Sequence, residues 1–263
     1  MLRIILIVAS RFRSSSEHAS LLLENLGFDS IFFSLPEELG ESLNLYSVGD
    51  ISEDEFWNDY TTLTGLSTPF ANALRYKLGP LINKLPSIKL EHDFEIYCFE
   101  NLQQHIRLKG LTERQLLLEF KSRATGKLDA DEWRIILREE LETGKKLEEK
   151  IAENILEKAM NHKNPVVICA GFAFVKNLKS MLLPNYEVRV ICLEHYWKPP
   201  LDVLKTLFAS KGIDKIPYNI VMLCIKNHLK YLNYILHYDN VDTAHTIWSE
   251  ELKPHKTFKR FKV

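Results

Sequence analysis

The stretch Val166–Val175, VVICAGFAFV, limits the folds open to this chain more than any other. Val166–Ala170 reads as a buried strand and Gly171 as a turn, and beyond them Leu178, Met181 and Leu182 share one face of a helix. The chain begins with the same pattern: strand Ile4–Ala9, loop Ser10–Ser16, then a helix with Ala19, Leu22, Leu23 and Leu26 at i, i+3, i+4 and i+7. A strand–loop–helix unit sets its loop at the carboxyl end of a strand, where α/β proteins bind ligands.

Further strands are expected at Ile31–Leu35, Phe94–Phe99 and Val188–Leu193. The helix between Val166–Ala170 and Val188–Leu193 makes a βαβ unit of parallel strands. Residues 40–92, punctuated by Pro69, Pro80 and Pro86, are expected to hold short helices. Residues 111–163 read as two amphipathic helices, one striped by Trp133, Ile136, Leu137 and Leu141, the other by Leu147, Ile151, Ile155 and Ala159. Beyond Pro199–Pro200 come a helix at Leu201–Ala209 and a longer one with Pro217 at its first position, striped by Val221, Cys224, Ile225, Leu229, Leu232 and Leu236. The expected fold is α/β, a central, mostly parallel sheet of about five strands with large helical insertions and a C-terminal helical extension. The α/β core is set at residues 1–198 with insertions at about 40–92 and 101–163, the extension at 199–252 and a basic tail at 253–263.

Composition narrows the function classes. The chain has 263 residues, is 46% hydrophobic and carries a formal net charge of −1, so bulk charge does not mark it as a polyanion binder. Its cysteines, Cys98, Cys169, Cys192 and Cys224, lie in apolar runs without a C-x-x-C pair, which predicts buried reduced thiols and a cytoplasmic protein. No apolar run approaches the roughly 18 residues of a membrane helix, and Arg11 and Arg13 follow the first apolar run too closely for a signal peptide.

Ser10-Arg-Phe-Arg-Ser-Ser-Ser16 brings Arg11 and Arg13 to the end of a strand, with Ser14, Ser15 and Ser16 offering hydroxyls and a helix cap. Together with the turn at Gly171 these groups suit an anionic small molecule bearing phosphate or carboxylate. The loop lacks glycine, so it is neither a Walker loop nor a dinucleotide fingerprint. For acid–base work the candidates are Glu194 and His195 after the fifth strand, with His18 and Glu37 able to share their crevice if the strands are neighbours. No metal-ligand spacing and no G-x-S-x-G elbow occur, and no cofactor is implied. The tail places Phe258 and Phe261 among Lys253, Lys256, Lys259, Arg260 and Lys262, a pattern that fits nucleic acid or a partner protein. The helix from Pro217 to Tyr238 followed by Val241–Leu252 also fits part of a helix-turn-helix.

The order of these elements resembles the TraB/ChaN-type superfamily, which includes Tiki-like and erythromycin esterase-like proteins. In that group a first strand ends in a Gly-Thr-Ala-His-like loop, a second in Val-Glu-Leu, and a strand after a helical section in Gly-x-x-His. VASRFRSSSEHASLLLENLGFDSIFFSL resembles the first part and IAENILEKAMNHKNPVVICAGFAFVKNLKSML the last, while Glu100 falls where some members carry an Asp-Arg pair. Phe12 and Phe174 stand where the histidines would fall and Ser34 where the glutamate would, and a phenyl ring neither ligates a metal nor moves a proton. The resemblance therefore implies a degenerate, non-catalytic binding or interaction protein. The alternative is a hydrolase or nucleotide-processing enzyme with a non-standard site at the carboxyl ends of the strands.

Overall fold

A computed structural model describes every residue except 1, 10–11, 170–171, 194–197, 239 and 253–263. For residues 146, 149, 172–174, 176, 177 and 252 it describes the backbone only. The chain divides into two compact units, one of residues 1–110 and 143–194, the other of 111–142 and 195–263.

The first unit is built on a five-stranded, all-parallel sheet of β1 (Leu2–Val8), β2 (Ser30–Pro36), β3 (Glu95–Glu100), β4 (Pro165–Cys169) and β5 (Tyr186–Cys192), in the order β3-β2-β4-β1-β5. Parallel sheets need both faces covered, and their inner strands are apolar throughout rather than alternating. All of β4 is buried. Ile5, Ile7, Ile31 and Phe33 point to one face, where they pack with α1 (Arg13–Glu24), α2 (Gly40–Val48), α3 (Glu53–Thr64), α4 (Thr68–Ile82) and α5 (Leu85–Glu91). Ile4, Leu6, Phe32 and Val167 point to the other, against the second half of α7 (Ala130–Ala159) and α8 (Phe172–Leu182). The expected stripes Ala19–Leu23 and Leu178–Leu182 are thus core on opposite faces of the sheet.

Strands β4 and β5 are parallel, as their βαβ unit implies, with β1 between them and paired to both. Two expectations are corrected here. The two stripes of residues 111–163 belong to the single helix α7, whose preceding helix α6 spans Leu102–Thr125. Of the thiols, Cys98 and Cys169 are buried, whereas Cys192 and Cys224 are only partly so, and all four are free.

The second unit is helical. Leu118, Trp133 and Leu137 pack with Leu204 and Phe208 of α9 (Pro200–Lys211) and with Val221 and Ile225 of α10 (Tyr218–His237). Residues 111–142, expected as part of an insertion in the α/β core, therefore share a core with the C-terminal helices. Pro217 is the N-cap of α10 rather than its first helical residue. Helix α11 (Val241–Leu252) packs on α10 through Trp248, whose ring lies 4.8 Å from that of Tyr231. Glu119 and His228, both buried, meet at 2.8 Å, and Gln115 donates a further bond to Glu119. Among the described residues no helix is long and apolar enough to cross a membrane.

Phe32 is wholly buried at the centre of the sheet and stacks on Tyr97 at 4.9 Å. Phe32→Ala should cost about 3–5 kcal/mol, the range for emptying a buried aromatic site. The urea midpoint checks it, and a loss below about 1 kcal/mol would contradict this packing.

Candidate functional site at the carboxyl edge of the sheet

Strands β2 and β4 are neighbours whose chains leave in opposite directions, β2 toward β3 and β4 past β1 to β5. Their connections run on opposite faces of the sheet. Such divergence opens a crevice at the carboxyl ends of the strands, the usual ligand position in an open α/β sheet. At the β2 end the register with β3 slips. Phe33 pairs with Cys98 and Pro36 with Glu100, so Ser34 and Leu35 oppose Phe99 alone. A bulge of this kind re-aims side chains.

Beside the bulge lies a continuous polar chain. Ser34 donates its hydroxyl to one oxygen of Glu100. His105 Nδ1, in the first turns of α6, meets the other Glu100 oxygen at 2.6 Å, and His105 Nε2 meets the Tyr60 hydroxyl of α3 at 3.0 Å. An ionised carboxylate only accepts, so the shared proton of the Glu100–His105 contact sits on Nδ1. In the neutral ring this leaves Nε2 to accept from Tyr60. Burial falls from Tyr60, fully enclosed, through His105 at 2% exposure to Glu100 at 9%. The chain therefore has one sealed end and one end that reaches the edge.

Its electrostatics follow from that gradient. Burial opposes ionisation of Glu100 most strongly, but the hydrogen bond and charge of His105, the charge of Lys109 and the Ser34 hydroxyl together hold its carboxyl below the ordinary value. Burial first, and then the charge of Glu100, push the Tyr60 phenol well up, so it keeps its proton. The same two causes push the Cys98 thiol up and leave it an inert core residue. Glu37, just past β2, accepts from Asn154 of α7 and pairs with Lys158 at 3.3 Å. Asn154 also donates to the Phe99 carbonyl at 3.3 Å, which ties α7 to the end of β3.

The residues singled out in the sequence are placed differently. Helix α1 is N-capped by Phe12, whose side chain makes no cap hydrogen bond. The serines lie inside the helix instead. Ser15 and Ser16 are buried, and Ser16 gives its hydroxyl to the Ala9 carbonyl at 3.2 Å. Arg13 pairs with Glu17 at 3.0 Å, donates to the Tyr76 carbonyl at 3.2 Å and lies 5.1 Å from the Tyr76 ring, which anchors α1 to α4. His18 is exposed on α1, whereas Glu37 is tied to Asn154 and Lys158 of α7. Arg11, Gly171, Glu194, His195 and the tail residues Lys256, Phe258, Lys259, Arg260 and Phe261 lie outside the described residues. Among the described residues no group of three or more His, Cys, Asp or Glu is placed to hold a metal ion.

Sequence reading missed His105 and Tyr60. The available signal was an acid that ends a strand, Glu100, followed five residues later by a histidine in the next helix. No protein-family model, curated protein or solved structure matches this chain.

A carboxyl held below its unfolded value of about 4.3 contributes stability that is present above that value and lost as pH falls through the folded one. Glu100→Gln should therefore destabilise the protein at neutral pH, and the gap from wild type should close below about pH 4. Urea unfolding across pH measures it; a gap independent of pH would contradict an ionised Glu100.

Proposed function

We propose that this protein is a non-catalytic α/β binding protein that receives an anionic, phosphate- or carboxylate-bearing small molecule at the carboxyl edge of its sheet. The observation that carries this reading is the amino end of α1, which opens at that edge with a phenylalanine, a residue whose side chain has no acceptor, at its N-cap. A helix amino end leaves backbone N–H groups to be satisfied, and an anion satisfies them with the help of the helix dipole. Arg11 precedes this turn and supplies the cation, while Arg13 acts as the anchor of α1. Binding is favoured over reaction because the Ser34–Glu100–His105–Tyr60 chain ends in a fully enclosed hydroxyl. Its groups satisfy one another and brace the floor of the edge. The TraB/ChaN-type resemblance belongs to the same proposal: Ser34 stands at that family's glutamate position, and the carboxylate bonded to it comes from Glu100 on the next strand. Cytoplasmic residence is also part of it, supported by the free thiols.

One observation favours the second reading, catalysis. Glu100 is held ionised beside a serine hydroxyl at a strand end, which suits a general base. Turnover of phosphate or carboxylate esters that is lost in Glu100→Gln would establish that reading instead.

Thermal shift with inorganic phosphate, nucleotides and dicarboxylates tests the binding reading. A ligand at about 100 times its Kd adds about 2.7 kcal/mol of stability. The ligand-induced shift should vanish in Arg11→Ala and persist in Arg13→Ala. No shift with any of the panel, or an equal shift in Arg11→Ala, would overturn it.

A further inference from the structure

The near-zero net charge conceals a segregation of charge along the chain. Between His18 and Arg75 there is no lysine or arginine, yet this run holds ten acidic residues, from Glu24 to Asp59. The last eleven residues, 253–263, hold five lysines and arginines, two phenylalanines and no acid.

Within the acidic run α2 and α3 enclose a groove of about 360 Å³. Leu39, Leu45 and Leu63 supply its apolar lining, while Glu38 and Glu41 on one side and Asp59 on the other supply its charge. Ser42 of α2 donates to Asp59 of α3 at 2.6 Å, so the two walls are tied. The outer face of α2 continues the apolar surface, with Leu45 and Val48 exposed at 38% and 57%. An apolar channel with an acidic rim matches an extended segment in which aromatic rings alternate with cations, the rings seated on the leucines and the cations meeting the carboxylates.

We propose that this groove binds the C-terminal segment, residues 253–263, of a second copy of the chain. Charge complementarity selects the segment, since Lys256, Phe258, Lys259, Arg260 and Phe261 supply the groups the groove lacks. The overall charge of −1 permits a second copy as the source, because copies that carry almost no net charge do not repel one another. The contact is heterologous, tail to groove, so in a bound pair the copy that gives its tail keeps a free groove and the copy that receives it keeps a free tail.

The test uses the full-length chain, with its mass followed by light scattering and sedimentation over a range of concentrations. At low salt the mass should rise with concentration. At about 0.5 M salt, where the screening length is about 4 Å, it should fall to that of one chain. Reversing the groove, Glu38→Lys with Glu41→Lys, or the tail, Lys256→Glu with Lys259→Glu and Arg260→Glu, should each abolish association, and combining the two sets should restore it. A synthetic peptide of residues 253–263 should compete in the wild type and fail to bind the groove variant. Circular dichroism confirms that each variant is folded, and Glu38 and Glu41 are exposed. A single-chain mass at every concentration and salt, association that neither reversal changes, or a crosslink from tail to groove within one chain would each overturn the proposal.

Discussion

The insertion of β4 between β1 and β2 is the constraint on which the α/β unit depends. Val166 stands opposite Ile5 on one side and Ile31 on the other, so this five-residue strand closes two ladders at once. Strands β1 and β2, joined by α1, have no ladder with each other and acquire a common sheet only when β4 arrives from more than a hundred residues away. Pairing of such long range is slow to form, because loop closure must precede any gain from contact. It also explains the run VVIC: a strand flanked on both edges and covered on both faces has no polar side to present.

The same insertion shapes the carboxyl edge of the sheet. With β4 beside β2, neighbouring chains depart to opposite faces. Ser34, Glu100 and His105 sit at the same carboxyl edge, on β2, β3 and α6. A carboxylate so nearly buried survives as an ion only because each oxygen is bonded and a cation stands beside it. Glu100 and His105 are therefore mutually dependent. Removing the imidazole leaves a charge in a poorly solvated site, and removing the carboxylate leaves an Nδ1 donor without its acceptor. Tyr60 extends the dependence to α3, so one chain of hydrogen bonds links the sheet edge, the start of α6 and the helical layer on the β2 side.

Much of this was legible in the sequence. All five strands were visible as apolar or β-rich runs, the inner ones because a strand covered on both faces needs no alternation to be recognised. Helix α7 was misread as two helices for a physical reason. Its stripe runs in steps of three and four from Trp133 to Leu141, then steps six residues to Leu147 and resumes in fours to Ala159. The phase breaks close to Gly144 while the backbone continues, because the two halves of the helix serve different cores. The serines of α1 were misassigned as caps because Phe12 takes that place with backbone alone, which composition does not reveal. Tyr60 and His105 were invisible for another reason: they meet across 45 residues, and neither carries a local motif.

Net charge misleads in a similar way. A formal charge of −1 argues against electrostatic partners only if charge is spread evenly. In salt near physiological strength a surface feels charges within about 8 Å, far less than the width of a domain. Beside the α2–α3 groove the relevant sum is therefore that of Glu38, Glu41 and Asp59, unrelieved by any lysine or arginine in the surrounding sequence from Ala19 to Leu74. The helices that carry these acids are otherwise fixed by core contacts such as Leu43, Phe56 and Tyr60, so their outer faces are free of the demands of folding. Acids there contribute little to stability as isolated surface charges. Their concentration on one patch is better explained by what the patch must attract than by what the fold must hold.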